Sequence, residues 1–131
     1  MLRREIVATL VVFMLGALAW VLPPHVMGRI VERYPGTTWG WLGDGISNIQ
    51  PSLSVPIIVI IGIVYGFMNP RWFAIAFIAT FWILPFNIAL DISNNPSSHN
   101  LFPFELVIFA FYNLPSFVGA WIGRFLNTKY V

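Results

Sequence analysis

Long apolar runs, separated by short polar or proline-containing stretches, dominate the pattern along the chain. A helix needs about 20 mainly apolar residues to cross the hydrocarbon core of a membrane. Four runs approach or exceed that length, at residues 6–22, 52–68, 71–91 and 101–126. Backbone groups in lipid must bond within the protein, which favours helices. The pattern therefore predicts an all-α integral membrane protein, an antiparallel four-helix transmembrane bundle in a single membrane domain that covers residues 1–131.

Prolines and polar residues separate these runs. Pro23 and Pro24 predict the end of the first span, because proline supplies no N–H to a helix interior. The stretch Asn69–Arg71 leaves so little chain between the second and third spans that we expect them to form a helical hairpin. Pro85 and Asn87 predict a kink in the outer half of the third span.

Residues 24–34 follow the first span and have a helical pattern of their own. Pro24 is a favourable helix start, and Pro35 prevents continuation. Apolar side chains fall on one face and polar ones on the other: Val26, Met27, Ile30, Val31 and Tyr34 against His25, Arg29, Glu32 and Arg33. This predicts a short amphipathic interfacial helix on the membrane surface. Trp39 and Trp41 follow in a glycine-rich turn, where interfacial indoles are common.

Composition supports a membrane environment. The chain is 58% hydrophobic and 9% charged, whereas soluble domains carry about 25% charged residues. Membrane lipids are therefore the first expected partners. The net charge of +2 is small and scattered, so nucleic acid is not an expected partner. The absence of cysteine excludes disulfides and thiolate metal sites.

Basic residues indicate how the spans are oriented. Four spans place both termini on one side, and positive charges accumulate on the cytoplasmic side of membranes. The terminal side holds the larger group: Arg3, Arg4, Arg71, Arg124 and Lys129, against Arg29 and Arg33 on the other side. We therefore expect both termini in the cytoplasm, in a prokaryotic plasma (inner) membrane.

The first run also permits a second interpretation. Its basic start, its apolar residues and the small side chains of Ala17–Ala19 together resemble a cleavable signal peptide. An uncleaved first span is the interpretation that we favour.

Two pairs of glycines lie four residues apart inside predicted spans. Gly62 and Gly66 are in the second span, and Gly119 and Gly123 are in the fourth. Such pairs allow two helix backbones to approach closely in lipid. We predict helix packing at these residues, with the partner open between another span of the chain and another subunit.

Four polar residues within or at the ends of the spans form a candidate polar or ion site: Asp91, Glu105, Asn87 and Asn113. Asp91 ends the third span and Glu105 begins the fourth, so both lie at a similar depth. Intramembrane acids often mark proton or ion pathways. The structural alternative is that Asp91 is solvated, that Glu105 is stabilised by the first N–H groups of its helix, and that the amides bond neighbouring backbone.

A metal ion is not expected. An Asp/Glu/His set can bind divalent metals, and His99 with Asp91 and Glu105 is only a weak candidate. No nucleophile elbow, phosphate-binding loop or zinc-protease motif is present, so we do not predict an enzyme.

Three functions remain from the sequence. The first is an accessory or structural subunit that packs against a larger membrane complex through its glycine faces. The second is a small oligomeric transporter or channel that uses Glu105 and Asp91. The third is a module that binds a lipid-like or pigment cofactor through its many aromatic side chains, which make up 17% of the chain.

Overall fold

The computed structural model describes residues 2–27, 30–32, 40–94, 97 and 101–131. These residues form helices and no strand, in the order α1 (Arg3–Val26), α2 (Gly40–Ser47), α3 (Pro51–Met68), α4 (Ile75–Phe81), α5 (Ile83–Asn94) and α6 (Phe102–Tyr130). By length and composition, α1, α3, α6 and the pair α4–α5 are long and apolar enough to cross a membrane. The expected all-α class and the four apolar helices are therefore confirmed.

The closest helix contact joins α3 to α6, and the glycines explain it. A Cβ added to Gly119 would overlap the carbonyl oxygen of Val59, and one added to Gly123 would overlap that of Ile63. The contact four residues later in α6 is made with a residue four positions later in α3, so the two helices run in the same direction. Only residues without a side chain permit backbones to lie this close.

The second glycine pair lies in the same interface. A Cβ at Gly62 would overlap the carbonyl oxygen of Ser116, and one at Gly66 that of Ala120. Both pairs therefore pack within the chain, against each other's helices. The side chain of Asn127 extends the contact by donating its Nδ2–H to the carbonyl of Phe67 at 2.8 Å.

Helix α1 packs against α4 through another glycine. A Cβ at Gly16 would overlap the backbone of Ala79 and Thr80. The fully buried Trp20 donates its indole N–H to the Thr80 carbonyl at 2.9 Å. This bond satisfies the only polar atom of a large apolar side chain, as buried tryptophans require.

The third span is interrupted at Trp82, between α4 and α5. Pro85 has no N–H to donate to the carbonyl of Phe81, four residues earlier, and its ring crowds that turn. The interruption lies near Pro85, but Trp82 keeps helical dihedral angles and bonds both Ile78 and Phe86, so the kink expected at Pro85 and Asn87 stays a prediction. The helix begins at Ile75, and the residues from Arg71 to Ala74 form turns rather than the predicted start of the span.

The prediction that Pro23 and Pro24 end the first span was wrong, because α1 continues to Val26. Both prolines remove a donor, but the N–H of Met27 still bonds the carbonyl of Pro23 at 3.0 Å. Pro24 is buried, so packing supports this last turn.

The predicted interfacial helix at residues 24–34 was also wrong where the structure describes it. Residues 24–26 belong to α1, and residues 30–32 are not helical. Its remaining positions, which include Arg29, Arg33 and Tyr34, lie outside the described residues, as does Trp39.

A different short helix, α2, packs on the end of α1. The imidazole of His25 stacks on the ring of Trp41, with centroids 4.4 Å apart, and its Nε2 lies 2.8 Å from the Trp41 carbonyl oxygen. A Cβ at Gly45 would meet Val21 and His25. The glycine-rich stretch is therefore helical, and His25 is an anchor for α2 rather than part of a polar surface face.

We expect added bulk at the α3–α6 interface to destabilise the protein. Gly66→Ala and Gly123→Ala each add one carbon against backbone that cannot move independently, and such overpacking costs about 1–3 kcal/mol. Val64→Leu is the matched control, since it adds one carbon to α3 at a side chain that is 52% exposed. Reversible unfolding in detergent measures the difference, and equal stability of the glycine variants and the control would contradict this packing.

Candidate functional site

A cavity of about 290 Å³ lies between α2, α5 and α6. Its polar lining consists of Ser47, Asn87, Asp91 and Glu105. Three of the four residues predicted as a polar site therefore meet in one place, although they come from different spans.

The helices place these side chains by simple spacing. Asn87 and Asp91 are four residues apart on α5, which puts them on the same face. Glu105 lies in the first turn of α6. Asn87 and Asp91 are each 3% exposed, and Glu105 is partly buried. The site thus lies beside the start of α6 and the later part of α5, with its two α5 side chains buried.

Asn87 has an unusual environment for a buried amide. Its side chain lines the cavity and makes no hydrogen bond to any residue that the structure describes. Buried amides normally bond protein or water, because leaving them unsatisfied costs about 1–3 kcal/mol. An amide that faces a cavity without a protein partner is available to a bound molecule.

The charge of the lining has one sign. The described residues around the cavity include two carboxylates, Asp91 and Glu105, and no lysine, arginine or histidine. Low-dielectric walls focus the field of such groups. Within the described part of the chain the cavity therefore has an acidic lining, in which Asp91 and Glu105 each also make another interaction.

Asn113 lies elsewhere, at the contact between α4 and α6. Its side-chain Nδ2 donates to the backbone carbonyl of Phe77 at 2.9 Å, and the Ser116 hydroxyl donates to the backbone carbonyl of Asn113 at 2.8 Å. The Thr80 hydroxyl donates to Ser116 Oγ at 2.9 Å. This arrangement agrees with the structural alternative, in which the amide bonds the backbone of a neighbouring helix.

Two buried polar oxygens near the bundle interior have no hydrogen-bond partner within the described parts of the chain. They are Oδ1 of Asn113 and the hydroxyl of Ser54, both in residues that are fully buried. Such groups are rare in native proteins and often mark an ordered water or a functional site.

The weak metal candidate cannot be assembled from the described residues. His99 lies outside them, and within them no group of three or more His, Asp or Glu residues is placed to hold an ion. Asp91 and Glu105 remain as cavity acids.

Helix α2, which covers the cavity, was not predicted from the sequence. Ser47, Ile46 and Ile49 cover the cavity, but the stretch before them was interpreted as a glycine-rich turn. The spacing of the apolar residues Leu42, Ile46 and Ile49 is the signal that indicates a helical face there.

Comparison of the chain with protein-family models, with curated proteins and with solved structures gives no match.

The unsatisfied Ser54 hydroxyl and the bonded Ser116 hydroxyl provide a matched pair of variants. Ser116→Ala removes the acceptor of Thr80 and the donor to Asn113, so we expect a loss of about 1–3 kcal/mol in unfolding free energy. Ser54→Ala removes a buried group without a protein partner, so we expect equal or greater stability. Unfolding in detergent tests both, and strong destabilisation by Ser54→Ala would mean that a water or ion bonds this hydroxyl.

Proposed function

We propose that the chain crosses a membrane four times, through α1, α3, α4–α5 and α6. The outer surfaces of these helices support this, because they present large apolar side chains such as Met14 at 68% exposure and Phe111 at 67%. Lipid is the solvent that accommodates surfaces of this kind.

We also propose that successive spans are antiparallel. Two contacts between the third span and α6 support this. Arg124, near the end of α6, lies 4.9 Å from the ring centroid of Phe73, just before α4. Asp91, near the end of α5, shares the cavity with Glu105 at the start of α6, so α4–α5 and α6 run in opposite directions. The second and fourth spans, α3 and α6, run in the same direction, as alternation requires. Both termini then lie on one side, which we propose is the cytoplasm of a prokaryotic cell.

Labelling of single cysteines tests this topology, and the natural chain has no cysteine to interfere. Ser97→Cys, in the connection between α5 and α6, should react with an impermeant maleimide in intact cells. Thr128→Cys, in the last turns of α6, should react only after permeabilisation. Both side chains are exposed in the protein. Labelling of both sites in intact cells would mean that α6 does not separate them across the membrane, and it would contradict the proposed four crossings.

We propose that the protein is a small oligomeric transporter or channel that takes a cation into the acidic cavity. The observation that carries this proposal is the convergence of Asn87, Asp91 and Glu105 on one cavity. Ionisable groups within membrane segments are costly and are generally kept for ion or substrate pathways. Four helices enclose too little space for a continuous pore, so a pathway across the membrane requires more than one copy.

Proteoliposomes containing the purified chain should take up protons, rubidium or methylammonium. Glu105→Gln and Asp91→Asn remove a charge with little change of shape, so we expect about 10- to 100-fold slower uptake, the effect of losing a charge-assisted hydrogen bond.

The control variant is Glu5→Gln. Glu5 accepts a hydrogen bond from the Leu2 N–H at 2.8 Å at the start of α1, which glutamine can also accept, and it does not line the cavity. Uptake should be unchanged in this variant. Absence of any cation uptake by the natural chain would refute the transport proposal.

An accessory subunit remains a second proposal, favoured by one observation. Helix α6 exposes a series of large apolar side chains, namely Phe104, Val107, Phe111, Val118, Trp121 and Phe125, and such a face suits another protein's span as well as lipid. The glycine faces no longer support docking, since they pack inside the chain. A stoichiometric partner recovered from native membranes would favour this role.

A lipid-like or pigment cofactor is the third proposal. A groove of about 510 Å³ between α1 and α3 is lined by apolar side chains, among them Leu15, Leu22 and Ile57. The groove is long and apolar, as an acyl or isoprenoid chain requires.

A further inference from the structure

We infer that the ligand of the acidic cavity is a small primary amine in its protonated form, with an apolar body. This inference rests on the proposed function, because it specifies which class of cation the cavity takes. It is argued from the polar groups, the apolar wall and the size of the cavity.

The size of the cavity argues against a bare metal ion. Calcium takes six to eight oxygen ligands at about 2.3–2.6 Å, and magnesium requires a tighter octahedral set. The cavity offers two carboxylates, one amide and one hydroxyl in a volume of about 290 Å³, many times the roughly 30 Å³ of a single water. A bare ion would touch only a small part of this lining.

The rest of the wall is hydrocarbon. Ile46, Ile49, Ile88, Ile108 and Phe109 complete the lining. A strongly hydrated inorganic ion gains nothing from such a surface, whereas an apolar body transferred from water gains about 25 cal/mol for each Å² that is buried. Phe109 also supplies an aromatic ring, and rings attract organic cations.

Asn87 specifies the hydrogen bonding of the ligand. Its side chain is 3% exposed, lines the cavity and bonds no described residue. A primary ammonium has three N–H donors, and the side chains of Asp91, Glu105 and Asn87 present acceptor oxygens to the cavity beside the Ser47 hydroxyl. Asp91 and Glu105 also make other interactions within the protein, and each carboxylate has about four lone-pair sites, which the ligand would share with them. A quaternary ammonium carries the charge but none of these donors.

A series of ligands on the unmutated, detergent-purified chain tests the inference by isothermal titration calorimetry. Benzylammonium should bind. Benzyl alcohol lacks the charge, and benzyltrimethylammonium lacks the N–H donors, so each should bind at least about tenfold more weakly. Sodium and magnesium should not compete.

Variants then locate the site. Asn87→Leu keeps the branching of the side chain and removes the amide, and Glu105→Gln removes a charge, so each should weaken benzylammonium binding by about tenfold or more. Glu5→Gln should leave it unchanged. Thermal unfolding of each variant shows that it is folded.

The outcomes separate this inference from the proposed function. Binding of sodium or magnesium that depends on Asp91 and Glu105, without binding of benzylammonium, would overturn the amine and retain a cation site. Equal binding of benzyl alcohol would show that charge is not recognised and would also overturn the amine. If no amine and no metal ion binds, both the inference and the proposed function fail.

Discussion

The close backbone contact between α3 and α6 is the constraint on which the other helix positions depend. Helices gain no hydrophobic attraction from each other in lipid, so association relies on packing and hydrogen bonds. Glycines on both helices make that packing possible because they have no side chain. Because this contact fixes α6, it also fixes Ser116 and Asn113 against α4, and it sets the start of α6, with Glu105, beside α5.

The cavity lies beside α5, the second part of the divided third span. Pro85 removes the helix bond to the Phe81 carbonyl, and the third span is divided at Trp82 into α4 and α5. Asn87 and Asp91 follow this division and line the cavity together with residues of α2 and α6. The position of the cavity therefore depends on Pro85, on the close pair α3 and α6, and on the short helix α2, which covers the cavity.

Sequence alone was sufficient for features that many residues encode together. The four apolar helices follow from long runs of apolar side chains. The errors lie where few residues decide the backbone. Pro23 and Pro24 were expected to end α1, but burial of Pro24 and the bond from Met27 preserve one more turn. Helix α2 depends on tertiary contacts such as His25 with Trp41, which no local pattern encodes.

The arrangement of the site also depends on tertiary contacts that the sequence pattern does not reveal. The depth of Asp91 and Glu105 followed from their places at span ends, but their separation from Asn113 depends on how α4, α5 and α6 pack. That separation has a physical logic in the proposed membrane orientation. A charge at mid-membrane costs about 2.5–3.5 kcal/mol and less near the surface, so the acids lie at one end and only neutral groups lie deeper.

A cation in the cavity therefore meets no further carboxylate along the described parts of the spans until Glu5, at the opposite end of α1. Neutral groups such as Asn113 and Ser116 replace only part of an ion's hydration, and they already bond each other and α4. Under the proposed function, the cavity by itself is thus a binding site and not a pathway. Passage beyond it then requires either a second copy that adds polar groups or a movement that carries the acids inward, and Pro85, which cannot bond the Phe81 carbonyl, leaves one fewer backbone bond to oppose such a movement in the third span.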